Sequence, residues 1–352
     1  MKLKFKILKK VNARVGEINL NITLTTPIFM PVTKATIKGL VLDMLQDPKY
    51  IDLPTINLIL ANTFHLYLRP DELIKDALHK FENRNLILTD SFQVFSLGLG
   101  KKEDREHTHQ VKVKLTEDVK FFSPYDSKHF FTPENVVDTQ CNLSDIMMVL
   151  DVCSPTDCNK KTIEKQMYMT HRRAKRAFDH FEKKYKESRV LFPIVQTHLD
   201  LRQESIDFLS NYARDIAVGV SVESKELIRE VVEFTGPKLP NNKPRYLMVG
   251  TPADISHAIE NGFDMFDCVL ATRYGRHLAF SDHDIKITNA KYKSDFSTLT
   301  DTCPCFVCKN YSKSYLQHLI REKEMLTLLS FHNIIYLHNM LEKWKKNRLK
   351  QN

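Results

Sequence analysis

The sequence predicts an α/β protein built on a (β/α)8 TIM barrel, with a β-hairpin or small sheet at its N-terminus and a helical subdomain at its C-terminus. Three observations predict it. Seven short apolar runs alternate with longer segments of helical period, which implies parallel βαβ units. No glycine-rich dinucleotide loop follows the first run. Polar residues fall at the C-terminal ends of successive runs, at Asp90, Asp151, Gln196 and Asp267, where barrel enzymes keep their chemistry. A doubly wound sheet also fits the alternation. The strand count, the absent loop and the polar ends favour the barrel.

The elements follow in order. Residues 17–32, EINLNITLTTPIFMPV, alternate and carry Pro27 and Pro31, which reads as a hairpin rather than a buried strand. The predicted barrel strands are Asn57–Asn62, Asn85–Asp90, Asp145–Asp151, Val190–Gln196, Ile216–Val220, Arg245–Gly250 and Met265–Leu270. Thr132-Pro133-Glu134 and Thr251-Pro252-Ala253-Asp254 each place a capping residue before a helix-starting proline. The second of these helices closes on Gly262. The longest helix is expected from about Cys158 to Ser188. The expected division is 1–290 for hairpin and barrel and 291–352 for the helical subdomain.

With 352 residues, 42% apolar and 27% charged, the chain can bury a sizeable core, and global disorder is excluded. No apolar run approaches the roughly 18 residues of a membrane span. The basic N-terminus has no secretory-type apolar region behind it, so a soluble, cytoplasmic protein is expected. A net charge of +9 favours a polyanionic partner, although a solvated lysine-rich surface would give the same value. Glycine is scarce, at 9 residues, against a usual share of about 7%.

Three constellations could carry chemistry. Cys303, Cys305 and Cys308 supply three thiols within six residues, and His318, His332 and His338 follow. Three thiolates and one histidine make a closed tetrahedral Zn²⁺ site, structural rather than catalytic. His332 is the preferred fourth ligand, and spacing alone leaves His318 open. Asp90 and Asp267 form the second constellation. Two carboxylates at a barrel mouth suit covalent glycosyl chemistry, one attacking an anomeric carbon and the other moving a proton. Strand-end acids also cap helices or pair with arginines such as Arg245, Arg273 or Arg276, and Asp264 competes with Asp267 for the pocket. The third is the segment from Asp267 to His277, where Arg273 and Arg276 could clamp phosphates around an aromatic residue. The basic stretch 341–350, LEKWKKNRLK, could touch nucleic acid or form a solvated face.

Taken together, these segments resemble the queuine tRNA-ribosyltransferase (tRNA-guanine transglycosylase) family. The resemblance runs through TPIFMPVTKATIKG (26–39), ILANTFHLYLRP (59–70), LTDSFQVFSL (88–97) and FFSPYDS (121–127). It continues through SDIMMVLDVCSP (144–155), FPIVQ (192–196), KPRYLMVGTP (243–252), NGFDMFDCVLATRYGRH (261–277) and the tail from Cys303 to Asn333. It implies a barrel that exchanges the wobble guanine of GUN-anticodon tRNAs for queuine by double displacement. By that resemblance Asp267 is the nucleophile and Asp90 the general acid/base. Phe92 stacks on the base, and Asp151 and Gln196 bond its edge. Gly219 and Met248 line the pocket, and Arg273 and Arg276 face the anticodon loop. Cys303, Cys305, Cys308 and His332 hold structural Zn²⁺. The partners implied are tRNA, the queuine base, and either a homologous non-catalytic subunit or a second copy. SPYDS, DVCSP and RYLMVG resemble the eukaryotic-type catalytic subunit, which favours queuine over its bacterial precursor.

The chain departs from the family pattern chiefly by lacking glycines. DSGGFQ becomes Asp90-Ser91-Phe92-Gln93, QGG becomes Gln196-Thr197-His198, the GGL-type loop becomes Val218–Val222, and LMGVG becomes Leu247–Gly250. Glycine lets backbone amides approach a bound base. These losses define the alternative, a catalytically decayed, tRNA-binding subunit of a transglycosylase heterodimer.

Overall fold

The computed structural model describes residues 3–11, 13–33, 42–67, 86–90, 113–122, 128–152, 158–195, 199–212, 218–220, 227–323 and 327–351. Strands β1 (Lys4–Val11), β2 (Ala13–Asn19) and β3 (Thr23–Thr26) form an antiparallel sheet at the N-terminus. The chain then enters the barrel through β4 (Ile28–Met30) and β5 (Val32–Thr33), followed by β6 (Leu58–Ala61) and β7 (Leu86–Thr89). A second antiparallel sheet intervenes, made of β8 (Val113–Leu115), β9 (Val119–Phe122) and β10 (Lys128–Phe131). The barrel resumes with β11 (Ile146–Met148), β12 (Val190–Phe192), β13 (Ile194–Val195), β14 (Val218–Val220), β15 (Arg245–Leu247) and β16 (Met265–Asp267).

All barrel pairings are parallel, in two runs: β12-β11-β7-β6-β5 and β13-β14-β15-β16-β4. Pro31 separates β4 from β5, and Pro193 separates β12 from β13. Counting each proline-interrupted pair as one strand, the described residues form eight parallel strands in a closed ring. The interruptions fall where a strand passes from one neighbour to the other: β4 pairs with β16, whereas β5 pairs with β6. A staggered register of this kind accompanies strand tilt in barrels.

This corrects one expectation. Residues 17–32 are not all hairpin, because Ile28, Phe29 and Met30 are buried and parallel to β16, and they close the barrel. Proline excludes an ordinary central strand because it cannot donate to the ladder. Pro31 is tolerated at the handover between neighbours, where its carbonyl accepts from Leu60 N at 3.1 Å.

The remaining elements follow from local chemistry. Every residue of β6, β7, β11 and β12 is buried, as expected of parallel strands covered on both faces. Helix Pro133–Cys141 starts on a capping box, with Thr132 and Asn135 exchanging hydrogen bonds of 3.1 and 2.8 Å. The long helix covers Lys160–Lys184 and is capped by Asn159. Helix Pro252–Glu260 is capped by Thr251 and followed by Gly262 at φ +83°, a left-handed turn that favours glycine. The final helix, Thr327–Lys350, packs on β4, on helix Leu270–Tyr274 and on the short helix Phe306–Asn310. Among the described residues no helix is long and apolar enough to cross a membrane.

The N-terminal sheet is locked to the start of β16 by an ion pair. Arg14, on β2, bonds both carboxylate oxygens of Asp264, through Nε at 2.9 Å and through its second amino group. The same guanidinium donates to the carbonyls of Asn241 and Lys243, both at 2.7 Å. Arg245 N adds a hydrogen bond of 2.8 Å to Asp264. Asp264 therefore belongs to the N-terminal end of its strand and to the scaffold.

Candidate active site and metal centre

Asp90 follows β7 directly and is 8% exposed. Asn62 Nδ2 and Thr63 N donate to its two carboxylate oxygens at 2.7 and 3.0 Å, and Thr63 Oγ1 donates to its backbone carbonyl at 2.7 Å. One of these bonds caps the helix Thr63–Tyr67, so the carboxylate is held rigidly. Burial pushes its pKa up to about 8; the Thr63 and Asn62 bonds oppose this, while the Asp267 and Asp151 carboxylates add to it. The three acids thus share one electrostatic environment at the strand ends.

Asp267 ends β16 and is 4% exposed. Tyr246, on neighbouring β15, donates its hydroxyl to Asp267 Oδ1. Burial raises Asp267 to about 7 and the Tyr246 bond pulls it back, while burial and the same carboxylate drive the Tyr246 hydroxyl well above its ordinary value. No arginine or lysine among the described residues pairs with Asp90 or Asp267. Arg245 instead donates to the carbonyls of Leu239, Pro240 and Gly262.

The other expected residues are distributed as follows. Asp151 is buried beyond β11, and its carbonyl accepts from Arg173 at 3.2 Å. Gly219 is the middle residue of β14, in register with Tyr246. Met248 is half-buried just beyond β15. Arg273 and Arg276 are exposed, in and just after helix Leu270–Tyr274, which follows Asp267. Phe92 and Gln196 lie outside the described residues, as do the altered loop residues Ser91, Gln93, Thr197, His198, Ser221 and Val222. The retained Gly250 has a clear reason: a Cβ there would sit 2.0 Å from the Cβ of Cys268, next to Asp267.

Sequence reasoning missed Tyr246 and Asn62. An aromatic inside an apolar strand reads as core, and the signal that could have found Tyr246 is its position on the strand beside the one that ends in Asp267.

Cys303, Cys305, Cys308 and His332 converge, all buried, with ligand atoms within 4.8 Å of one another. His332 Nδ1 lies 3.5 Å from Cys305 Sγ and 3.3 Å from Cys308 Sγ. Tetrahedral bonds of about 2.3 Å to sulfur and 2.0–2.1 Å to nitrogen would separate N from S by about 3.5 Å. The donor set therefore fits Zn²⁺. Nε2 of His332 is engaged with the Phe280 carbonyl at 2.8 Å, the outer partner that fixes a metal-binding imidazole. The open choice of histidine is resolved by geometry: His318 is exposed on helix Lys313–Arg321, and His338 bonds the Pro54 carbonyl at 2.6 Å.

The family model described as queuine tRNA-ribosyltransferase matches residues 9–351. A queuine tRNA-ribosyltransferase of Caldanaerobacter subterraneus is 40% identical over 370 residues, covering 97% of this chain and 92% of the relative. One from Vibrio cholerae is 41% identical over 370 residues, at 98% and 92% coverage. One from Halothermothrix orenii is 40% identical over 366 residues, at 97% and 93%. These relatives are bacterial, and they leave the eukaryotic-type detail of the sequence resemblance unsupported. With a buried carboxylate pair that has no cationic partner among the described residues at the mouth of a parallel barrel, and with a buried Cys3His cluster, the chain belongs to the queuine tRNA-ribosyltransferase family, and with it to the pentosyl-transferring glycosyltransferases.

Proposed function

We propose that this protein exchanges the wobble guanine of GUN-anticodon tRNAs for queuine through a covalent intermediate on Asp267. One observation carries the reading: Asp267 and Asp90 are both buried at the strand ends, and neither has a cationic partner among the described residues. A structural carboxylate in that position would be neutralised; an unneutralised one is poised for chemistry.

Between the two pKa values the pair holds one proton, on Asp90. Asp267 then attacks the anomeric carbon of the flipped nucleotide, the glycosidic C–N bond breaks, and the departing guanine takes the proton of Asp90. In the second displacement the Asp90 carboxylate removes a proton from the incoming base. That base forms the new C–N bond, and the Asp267 ester C–O bond breaks. Two inversions retain the β-configuration. Tyr246 holds the Asp267 carboxylate in place throughout.

Phe92, Asp151, Gln196, Gly219 and Met248 are proposed to form the base pocket, and Arg273 and Arg276 to contact the anticodon loop. Residues 1–290 would carry the exchange and 291–352 the structural Zn²⁺. A homologous subunit or a second copy is the proposed protein partner, in the cytoplasm.

The test is incorporation of labelled guanine into unmodified GUN-anticodon tRNA, by the chain alone, with its partner, and as Asp267→Ala. Exchange that vanishes with Asp267 supports the double displacement. Exchange that survives removes Asp267 from the nucleophile role. Binding without exchange under every condition points to the decayed-subunit alternative.

A further inference from the structure

We propose that the outward face of the sheet β8-β9-β10 is a second RNA-docking surface, where an unpaired tRNA base stacks on Phe130 while Lys120 and Lys128 hold adjacent phosphates. The inference rests on the tRNA reading above and extends it beyond the base pocket.

This sheet leaves the barrel after Asp90 and returns at helix Pro133–Cys141, so it belongs to the C-terminal, mouth side of the strands. Its two faces differ sharply. Val119 and Phe131 are fully buried, whereas Lys120, Lys128 and Phe130 point to solvent, and Phe130 is 47% exposed. The register places Lys120 opposite Phe130, and Lys114 opposite Lys120, so one rung crosses all three strands. Lys120 Nζ stands 5.4 Å from the centroid of the Phe130 ring. A cation on one side of an exposed ring leaves the other side open to a nucleobase.

The nearby acids among the described residues are already engaged by arginines. Glu117 pairs with Arg172, and Asp118 and Glu134 pair with Arg176 at 3.0 and 2.8 Å. Neither Lys120 nor Lys128 has an acidic partner among the described residues, so both charges are available to a polyanion. An apolar ring flanked by unpaired lysines suits single-stranded RNA, which is recognised by stacking and phosphate contact together.

The sheet is also tied to the pocket. Arg173, with no exposed surface, donates to the carbonyls of Thr116 at 2.7 Å, Glu117 at 3.0 Å and Asp151 at 3.2 Å. One guanidinium thus fixes the sheet to the strand end that carries Asp151, so RNA on the sheet would be held at a set distance from the mouth.

The experiment measures guanine exchange and direct tRNA binding for Phe130→Leu, Phe130→Tyr and the double variant Lys120→Ala, Lys128→Ala. Phe130→Leu is expected to raise KM for tRNA about fivefold or more with kcat unchanged, and Phe130→Tyr to restore it, because the ring and not its bulk is needed. The double lysine variant should weaken binding and make the salt dependence shallower by about 0.7 per lysine. Unchanged KM and salt slope, or a loss confined to kcat, overturns the surface. A wild-type protein that binds tRNA but exchanges nothing overturns the activity instead, and the variants' Kd values still decide the surface.

Discussion

Asp264 immediately precedes β16 and Asp267 ends it, and both are buried carboxylates. Burial raises the pKa of each. Their partners differ. Asp264 is clasped by the Arg14 guanidinium and the Arg245 amide, while Asp267 has a neutral tyrosine hydroxyl. At the N-terminal end of the strand the charge is cancelled by a residue 250 positions away in sequence. At the C-terminal end no cation among the described residues cancels it. The same residue type at the two ends of one strand is thus scaffold at one end and the proposed nucleophile at the other, and the cation separates the two.

The sharpest way to break this comparison is to remove each carboxylate in turn. Asp267→Asn is expected to abolish base exchange, by about 10³-fold or more. It should also stabilise the fold at neutral pH. The unfolded Asp267 ionises near its ordinary value of 3.8 and the folded one only near 7. Stability conferred by the protonated folded carboxylate is therefore complete below the lower value and lost as pH rises to the upper. Removing the carboxyl should return about 2–4 kcal/mol at pH 7.5. Asp264→Asn should instead cost about 3–5 kcal/mol, because Arg14 is left buried and unpaired. Urea unfolding of both variants checks this, and shifts of the same sign would end the contrast.

The metal centre extends the comparison to a site whose charge would be balanced by an ion rather than an arginine. Cys305→Ser, or a strong chelator, is expected to remove Zn²⁺ and lower stability by on the order of 5 kcal/mol or more, with Cys141→Ser as the inert control. Metal analysis and thermal unfolding measured together test it, and a full metal complement in Cys305→Ser would refute the ligand set.

The smallest expected effect concerns Tyr246. The pH profile of exchange should rise as Asp267 ionises near 7 and fall as Asp90 loses its proton near 8. Tyr246→Phe removes the bond that lowers Asp267, so the rising limb should move to higher pH, with a loss of about tenfold in rate at neutral pH. A profile whose rising limb stays in place would show that the hydroxyl does not tune the carboxylate.

The alternation of apolar runs made most barrel strands legible, because parallel strands buried on both faces are continuous apolar segments. β4 was not legible: two prolines within six residues read as an edge, and only the staggered handover at Pro31 explains how a closing strand accommodates one. The cysteine spacing announced a candidate metal cluster, yet the choice among three histidines needed the packing of two helices, Thr327–Lys350 burying His332 among the thiols and Lys313–Arg321 leaving His318 exposed. Asp264 and Asp267 could not be told apart in sequence, since the discriminating partner, Arg14, is brought in by the N-terminal sheet. Tyr246 stayed hidden because nothing local distinguishes a tyrosine that bonds a carboxylate from one that fills a core.

The two prolines carry a mechanical consequence. Pro31 and Pro193 interrupt the first and fifth strands of an eight-stranded ring, so they stand diametrically across from each other and divide the barrel into two half-shells. Asp90 and Asp151 ride on one half, Tyr246 and Asp267 on the other. A small opening along those two seams would change the spacing between the acids without any side chain leaving its rotamer. The width of the gap between the two carboxylates is, in this sense, set by the joinery of the barrel wall.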